Sequence, residues 1–574
     1  MYLLGINDGH DSGICLLADG QILFAANEER FSRQKYHWGF PYKALDALLE
    51  STKIAPEKID KVVIGAWSMI YNIRTIWDYE QPISWIRRAY EVTTRYMGPL
   101  MATDFANQAI KYALWVSRPN RQQTKEFLWQ KGIRAPIEYV EHHISHAASA
   151  YYTSGFEDCL VVTSDGGGDG ISGSVFIAEK GKMLRIAKTP KIHSLGCFWG
   201  DITYLCGFNP VSHGGKITGL AAYQEAPEVY QRLRQYYGYS KEKLHPLNKT
   251  YLFWRDHVEH LRKVLAGCSI EEIAYAAQKV LEEILVGIIQ EGIAKTGKKY
   301  VALAGGTFAN VRLNQKIFEI PGVEGIFIHP NMGDGGLGVG AALYVSAQNH
   351  YLKPYRLDHL YLGPEFPKKE ILATCERLGV RYRPLNSVAE FVSDCLVQKK
   401  VIGVYHGRME YGPRALGHRS ILAEPTDPTM MDWLNKRLDR TEFMPFAPIV
   451  IEEEAPKYFH NFPKAAYPTR FMTLCLDSTP LAKEKAPGIV HRDGTARPQS
   501  VSRQSEPYIY EILRAYQRKT GLPICINTSF NRHDEPIVCY PEDAIQEFLR
   551  GGVDVLVMED LEIIPLRFAQ SRSE

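Results

Sequence analysis

Several things are scarce or missing in this chain, and each absence closes a class of function. No run among the 574 residues reaches the ~18 consecutive apolar residues of a membrane span, so no transmembrane helix is expected. The ten cysteines include no Cys-x-x-Cys pair. They read as reduced thiols of a cytoplasmic protein, neither a disulfide frame nor a zinc site. Charge of one sign is not in excess. A formal net charge of +2 supplies no bulk field to draw nucleic acid or a membrane surface. The opening Met1-Tyr2-Leu3-Leu4-Gly5-Ile6-Asn7-Asp8 lacks the basic region and long apolar run of a secretory signal. What remains is ordinary: 45% hydrophobic and 23% charged residues, in a chain too long for one core. At least two domains are expected.

The stretch with the clearest chemistry is Glu141-His142-His143-Ile144-Ser145-His146. His142 and His146 are spaced i, i+4, so on a helix both imidazoles leave one face and can grip one ion. Asp165 follows an apolar strand in Ser164-Asp165-Gly166-Gly167-Gly168-Asp169-Gly170, and Asp334 sits in a similar frame, Gly333-Asp334-Gly335-Gly336. Two neutral imidazoles with carboxylates suit a divalent transition metal.

A local order repeats. Residues 2–6, a polar turn 7–13 carrying His10 and Asp11, strand 14–17, Asp19-Gly20 and strand 21–26 make strand, turn, hairpin. Strand 160–163, turn 165–170, strand 173–178, the hairpin 179–182 and strand 183–187 make the same order again. This duplication implies two similar lobes facing each other. Gly166 and Gly167 let backbone N–H groups approach phosphate oxygens. A strand at 300–304 runs into Gly305-Gly306 and Asn310, which puts a helix start where a nucleotide can sit. Gly333 and Gly335 frame a further turn of this kind. Between the two copies, Glu28 to Arg33 and Lys35 form a charged patch, read as a solvated surface with a cleft lining as the alternative. A helix is expected over 104–131 and an amphipathic core helix over Ile270 to Ile293.

Regular periodicity breaks over 346–368, where Tyr and Pro accumulate, so the domains are placed at 1–350 and 365–574. The second alternates helices (369–378, 388–398) with strands (401–405, 449–451, 471–476). Arg408, Arg414 and Arg419 fall in one glycine-punctuated stretch, 407–420, and guanidinium forks match phosphate and carboxylate. Arg497 lies in Ala496-Arg497-Pro498-Gln499. Asn527 and Ser529 are read as a loop after strand 523–526, offering donors to an oxyanion.

Taken together, these pieces resemble the ATP-dependent O-carbamoyltransferases, the family that includes nodulation protein U and the cephamycin and tobramycin carbamoyltransferases. The similarity covers nearly the whole chain. It is carried by His10-Asp11-Ser12, Glu28-Glu29-Arg30-Phe31-Ser32-Arg33, His142-His143-Ile144-Ser145-His146-Ala147, Gly412-Pro413-Arg414-Ala415-Leu416-Gly417, Pro445-Phe446-Ala447-Pro448, Ala496-Arg497-Pro498-Gln499 and Asn527-Thr528-Ser529-Phe530-Asn531. The resemblance implies an α/β chain. Its N-terminal domain would have the duplicated actin/sugar-kinase/Hsp70 fold, like tRNA threonylcarbamoyl transferases, and its C-terminal domain would be YrdC-like. It implies that the second domain joins carbamoyl phosphate to ATP (with Mg2+) as carbamoyl-adenylate, and that the first passes the carbamoyl group to a hydroxyl of a small molecule. It assigns a metal, iron as Fe2+, to His142, His146, Asp165 and Asp334. Within that scheme His10 and Asp11 lie in the first phosphate-type turn, where either can orient or deprotonate the acceptor hydroxyl, and Arg440 and Arg497 are the candidate catalytic residues of the first half-reaction; a homodimer is admitted as the assembly. The competing reading is a sugar kinase or ATPase with an idle C-terminal domain.

One departure stands out. Where family members carry a Lys and an Arg before Pro-Phe-Ala-Pro, this chain aligns Leu438 and Met444, while Arg440 is retained. Neither replacement can pair with phosphate.

Overall fold

The computed structural model describes residues 1–67, 85–103, 106, 121–349, 352–439 and 446–565. It forms two compact units. The first comprises Met1–Glu28 and Tyr36–Leu357, the second Glu29–Lys35 and Asp358–Glu574. The division at 357/358 falls inside the stretch where periodicity breaks. The short piece Glu29–Lys35, read above as part of the first domain, goes with the second unit instead. Its charged patch is no solvated surface: Arg30 and Phe31 are both 2% exposed.

The first unit is built twice. One five-stranded sheet uses β1 (Tyr2–Asn7), β2 (Gly13–Ala18), β3 (Gln21–Asn27), β4 (Lys61–Ile64) and β5 (Ile137–Tyr139), in the order β3-β2-β1-β4-β5. The other uses β6 (Asp158–Gly168), β7 (Ile171–Glu179) and β8 (Lys182–Pro190). After a two-stranded ribbon, β9 (Tyr237–Ser240) and β10 (His245–Asn248), it adds β11 (Tyr300–Ala304) and β12 (Gly325–Ile328). Read from its edge the order is β8-β7-β6-β11-β12, which repeats the first sheet. In both, an antiparallel three-strand meander is extended by two parallel strands. The hairpins match too. Asp19-Gly20 and Lys180-Gly181 both take positive φ at the two turn residues, the type I′ geometry that suits twisted strands. The parallel strands are apolar on both faces because helices cover them: Val301 to Ala304 are all buried. This duplicated α/β architecture is the one the sequence order predicts.

The helix Ile270–Thr296 starts at a Ser269/Glu272 capping box and ends on Gly297 at φ 69°. Of the helix expected over 104–131, Arg121–Gln130 is helical, and most of the remainder lies outside the described residues. No helix among the described residues is long and apolar enough to cross a membrane.

The second unit has a mixed sheet of eight strands. They are β13 (Arg381–Pro384), β14 (Ile402–Tyr405), β15 (Arg419–Ala423), β16 (Ala447–Ile451), β19 (Gln499–Val501), β20 (Ile524–Ser529), β21 (Val555–Met558) and β22 (Leu561–Ile564), with a small pair, β17 (Leu476–Asp477) and β18 (Thr495–Ala496), beside it. The order β13-β22-β21-β14-β15-β20-β16-β19 makes β15 and β20 neighbours. Two expectations are corrected here. Most of 471–476 is not a strand: Met472 takes φ 53°, which breaks extended backbone, and the run is buried coil. Asn527 and Ser529 are not in a loop. Strand β20 continues through them, pairing Ser529 with Ser420 of β15.

Candidate functional site

In the first unit, the helix His142–Tyr152 begins three residues after β5. Glu141 caps it by accepting from His143 N, and the Asp169 carboxylate accepts from His142 N at 2.8 Å and Trp67 N at 3.1 Å. Buried Ala147, Ala148 and Ala150 let a second helix, Leu337–Asn349, approach it closely. At Gly340 an added Cβ would lie 1.8 Å from Ser145 O, so the two backbones touch and only glycine fits. That contact brings Asp334, at the entry to the second helix, over the first. Asp165 arrives from β6. It lies not in a free turn but in a bulge: Ser164 pairs with Gly173 and Gly168 with Ile171, and the residues between are pushed out of the ladder.

The result is a convergence of His142, His146, Asp165 and Asp334, with one ligand atom from each lying within 4.8 Å of all the others. His142 Nε2 is 2.6 Å and His146 Nε2 3.1 Å from Asp165 Oδ2; the same nitrogens are 3.7 and 3.6 Å from Asp334 Oδ1. Both histidines and Asp165 are buried. With neutral imidazoles the cluster carries two negative charges in a dry setting, an arrangement that calls for a cation. The protonation pattern says the same. Burial alone would push His142 down, but Asp165 and Asp334 overrule it and raise it to about 10. Burial would raise Asp165, yet the imidazoles of His143, His142 and His146 hold it well below the carboxylate range. Asp334 is lowered in the same way by His10, His146 and His142. Asp165 Oδ1 is shielded from solvent and has no hydrogen-bond partner among the described residues. Two imidazoles and two carboxylates fit a divalent transition ion. His143 borders the set without joining it: its Nδ1 meets Thr163 Oγ1 at 2.9 Å, its Nε2 lies 3.5 Å from Asp165 Oδ1, and burial pushes it down to about 3.

His10 joins this cluster, its Nδ1 lying 3.7 Å from Asp334 Oδ2 with its ring stacked on Tyr36. Asp11, at φ 49°, accepts from Asn27 Nδ2 at 2.9 Å. Three asparagines weld the turns together. Asn7 Nδ2 donates to His10 O and Asp334 O, and Asn331 Nδ2 donates to Asn27 Oδ1. Sequence reasoning missed all three, since a lone asparagine carries no signal of its partner. Among the glycines, Gly166 and Gly306 leave open space where a Cβ would stand, while at Gly333 a Cβ would lie 4.0 Å from Asp11 Oδ2. Gly305 is different: at φ 105° it presses against Ser164, where a Cβ would be 2.2 Å from the carbonyl oxygen. Gly167 takes φ 125°, and Gly335 fits against Asn27 and Asp11. Asn310 caps the next helix, accepting from Leu313 N, and its amide donates to Gln278.

The second unit gathers the other predicted residues around the loop Gly412–Gly417. Glu410, buried and unassigned in the sequence reading, accepts three backbone N–H groups on one oxygen, from Leu416, His418 and Arg419 at 2.8, 2.9 and 3.0 Å. Gln499 Nε2 donates to Leu416 O, and Asn527 Nδ2 donates to Ala415 O and Gln499 Oε1. Arg419 is fully buried over the Tyr405 ring at 3.6 Å and donates to His406 O and Gly407 O, so it is a structural pin. Arg414 and Ser529 are half-buried beside this network. Arg497 is the most telling. Its Nε is shielded from solvent without a hydrogen-bond partner among the described residues, and burial holds its pKa below the usual arginine value. Asn527 Oδ1 is likewise shielded and unpartnered among them. A part-buried guanidinium with a shielded, open Nε donor is suited to an incoming anion. Arg440 and Met444 lie outside the described residues. Leu438 is fully buried as part of the core, which explains why an apolar residue stands there.

Comparison with known proteins gives this geometry its context. Residues 2–343 match the family model described as carbamoyltransferase N-terminus, and residues 393–564 the one described as carbamoyltransferase C-terminus. An uncharacterised protein of Methanocaldococcus jannaschii is 30% identical, with 97% of this chain and 98% of that protein aligned. Nodulation protein NolNO of Sinorhizobium fredii is 30% identical over 96% of this chain and 78% of its own length. Nodulation protein U of the same species is 26% identical over 93% and 94%. With both halves matched in order and the duplicated fold in place, the chain belongs to the carbamoyltransferase family and is an enzyme of that class.

Proposed function

We propose that this enzyme is an ATP-dependent O-carbamoyltransferase working in two stages. In the second unit, carbamoyl phosphate is cleaved by one water to carbamate and inorganic phosphate, and a carbamate oxygen attacks the α-phosphate of ATP, giving carbamoyl-adenylate and releasing pyrophosphate. Arg414, Arg497 and Ser529 bind and orient the anionic groups there, Asn527 holds their loop through Ala415 and Gln499, and Arg440 is assigned to anion binding as well. In the first unit, a hydroxyl of a small molecule attacks the carbamoyl carbon. The bond from that carbon to the adenylate oxygen breaks, the hydroxyl proton is taken up by a base, and AMP leaves. An alcohol is a weak nucleophile, so this step needs a leaving group as good as AMP and charge stabilisation where it departs.

The observation that carries the reading is the convergence of His142, His146, Asp165 and Asp334 within 4.8 Å. A divalent ion held there would supply positive charge to an adenylate phosphate. Iron is the ion implied by family resemblance. Gly166, Gly306 and Gly333 present accessible backbone for the nucleotide. His10, beside Asp334, is placed to take the acceptor's proton; Asp11, held by Asn27, shapes the turn that carries it.

The test is incubation of the purified protein with ATP and carbamoyl phosphate, followed by mass spectrometry. Carbamoyl-adenylate, with AMP and pyrophosphate as the spent products, supports the reading. Release of ADP alone, with no need for carbamoyl phosphate, overturns it in favour of a kinase or ATPase.

A further inference from the structure

Arg30 belongs by sequence to the first half of the chain and by packing to the second unit. It is 2% exposed. Its Nη2 donates to Gly412 O at 2.6 Å, its Nε lies 3.9 Å from Glu29 Oε1, and its Nη1 is shielded with no partner among the described residues. A buried guanidinium with so distant a counter-charge is costly, and its one short contact is to a backbone oxygen. That oxygen opens the loop carrying Arg414, and Gly412 takes φ 102°, a conformation that no other residue adopts without strain. The loop is therefore clamped at both ends by charged groups. Arg30 holds a carbonyl at its start, and Glu410 holds three N–H groups at and beyond its close.

The rest of the segment is anchored separately. Arg33 donates to Pro536 O and Ile537 O, Lys35 donates to Glu535 O, and Phe31 meets the Tyr540 ring edge-on. None of those contacts touches Gly412–Gly417. Arg30 is thus the one member of the segment whose described hydrogen bond reaches the loop.

We propose that Arg30 is a positioning residue for anion binding in the second unit: through Gly412 it sets where Arg414 presents its guanidinium. The inference rests on the reading of that loop as the carbamoyl-phosphate site. Its consequence is specific. Replacing Arg30 weakens the hold on an anionic substrate, whereas general destabilisation only lowers the fraction of active protein.

The experiment uses the full chain with Arg30→Met, Arg30→Lys, Arg33→Met, Arg414→Ala and the Arg30→Met/Arg414→Ala pair. Carbamoyl-phosphate binding is followed by calorimetry, and carbamoyl-phosphate-dependent exchange of pyrophosphate into ATP by radiolabel. Arg30→Met is expected to raise Kd and KM for carbamoyl phosphate about tenfold or more, the scale of one lost charge-assisted contact. Arg30→Lys should recover part of that loss, and Arg33→Met, whose described contacts miss the loop, should leave KM within about twofold. The double variant should bind no worse than Arg414→Ala alone, because the two act through one group. Unchanged binding in Arg30→Met, while Arg414→Ala is impaired, overturns the proposal and leaves the site reading intact. Equal losses in Arg30→Met and Arg33→Met also overturn it. If Arg414→Ala is unimpaired and the wild type shows no exchange, the site reading fails. Amide hydrogen exchange over 412–417 then decides the clamp by itself: faster exchange in Arg30→Met than in Arg33→Met supports it, and equal rates sink it.

Discussion

The two units place opposite charge in dry surroundings. In the first, buried carboxylates outnumber the cations near them, and the imbalance is concentrated where His142, His146, Asp165 and Asp334 meet. In the second, the imbalance is guanidinium: among the described residues Arg497 has no carboxylate partner, and Arg30 has a distant one, Glu29. A folded protein tolerates uncompensated charge only when other interactions hold it in place, or when a ligand of opposite sign completes it. The comparison therefore divides the chemistry. On the proposed reading, the first unit takes a cation and the second an anion.

The sharpest way to break that division is to remove one charge from each side. His142→Ala or His146→Ala should lower carbamoyl transfer on the order of a thousandfold, the scale of losing a main electrostatic contributor, while carbamoyl-adenylate still forms. Equal loss of both half-reactions in a folded variant would end the division of labour. The reciprocal change, Arg497→Ala, should lower adenylate formation on the order of tenfold to a hundredfold and leave metal content untouched, as metal analysis of the purified variant would show.

Next in size is the departure at position 438. Restoring a family-type cation as Leu438→Lys puts an ammonium into a fully buried apolar site. Instead of gaining activity, this variant should lose about 3 kcal/mol or more of stability, read from urea unfolding, whereas Leu438→Met should cost under about 1.5 kcal/mol. A Leu438→Lys variant as stable as the parent and more active would show that the site opens to substrate.

A subtler probe is pH. In the metal-free chain His142 binds its proton up to about 10, against an ordinary 6.5. Because the folded value is raised, its stabilising contribution is whole below pH 6.5 and is lost as pH climbs to about 10. Asp165 is depressed, so its contribution is lost on the acid side instead. A divalent ion must displace the His142 proton, so its apparent affinity should rise with pH across the window from 6.5 to 10, with protons released on binding. Titration at two pH values in two buffers of different ionisation heat measures both. The smallest expected effect is that of Asp334→Asn, which removes the more exposed carboxylate and should reduce, not abolish, metal occupancy.

Much of this arrangement is legible in the amino acids because the signals are local. A strand, a Gly/Asp turn and a two-residue hairpin recur in order, and type I′ turns need residues that accept positive φ, so the duplication shows at Asp19-Gly20 and Lys180-Gly181. The His142/His146 spacing is a helix property, readable without the fold. What escapes is what depends on distant partners. Nothing in the sequence around Glu410 marks its carboxylate as the anchor for three amides. Asn7, Asn27 and Asn331 act as a set only once β1, β3 and the turn before Asp334 are side by side. A charged run such as 28–33 is ordinarily solvated, and only long-range packing buries Arg30. The run at 471–476 misleads for a related reason, since a short apolar stretch buried all round looks the same as strand or coil.

The segment Glu29–Lys35 also bears on how the protein is made. Arg30 and Gly412 are separated by 382 positions along the chain. At ordinary synthesis rates the segment leaves the ribosome on the order of tens of seconds before Asp358 does. Throughout that interval, Phe31 and the Arg30 guanidinium have no second unit to enter, while the strands on either side can already pair within the first. Closing so long a loop is entropically slow. The second unit is therefore completed only after a segment made early meets residues made late, and a chain arrested before Asp358 would display this segment unburied to chaperones and proteases.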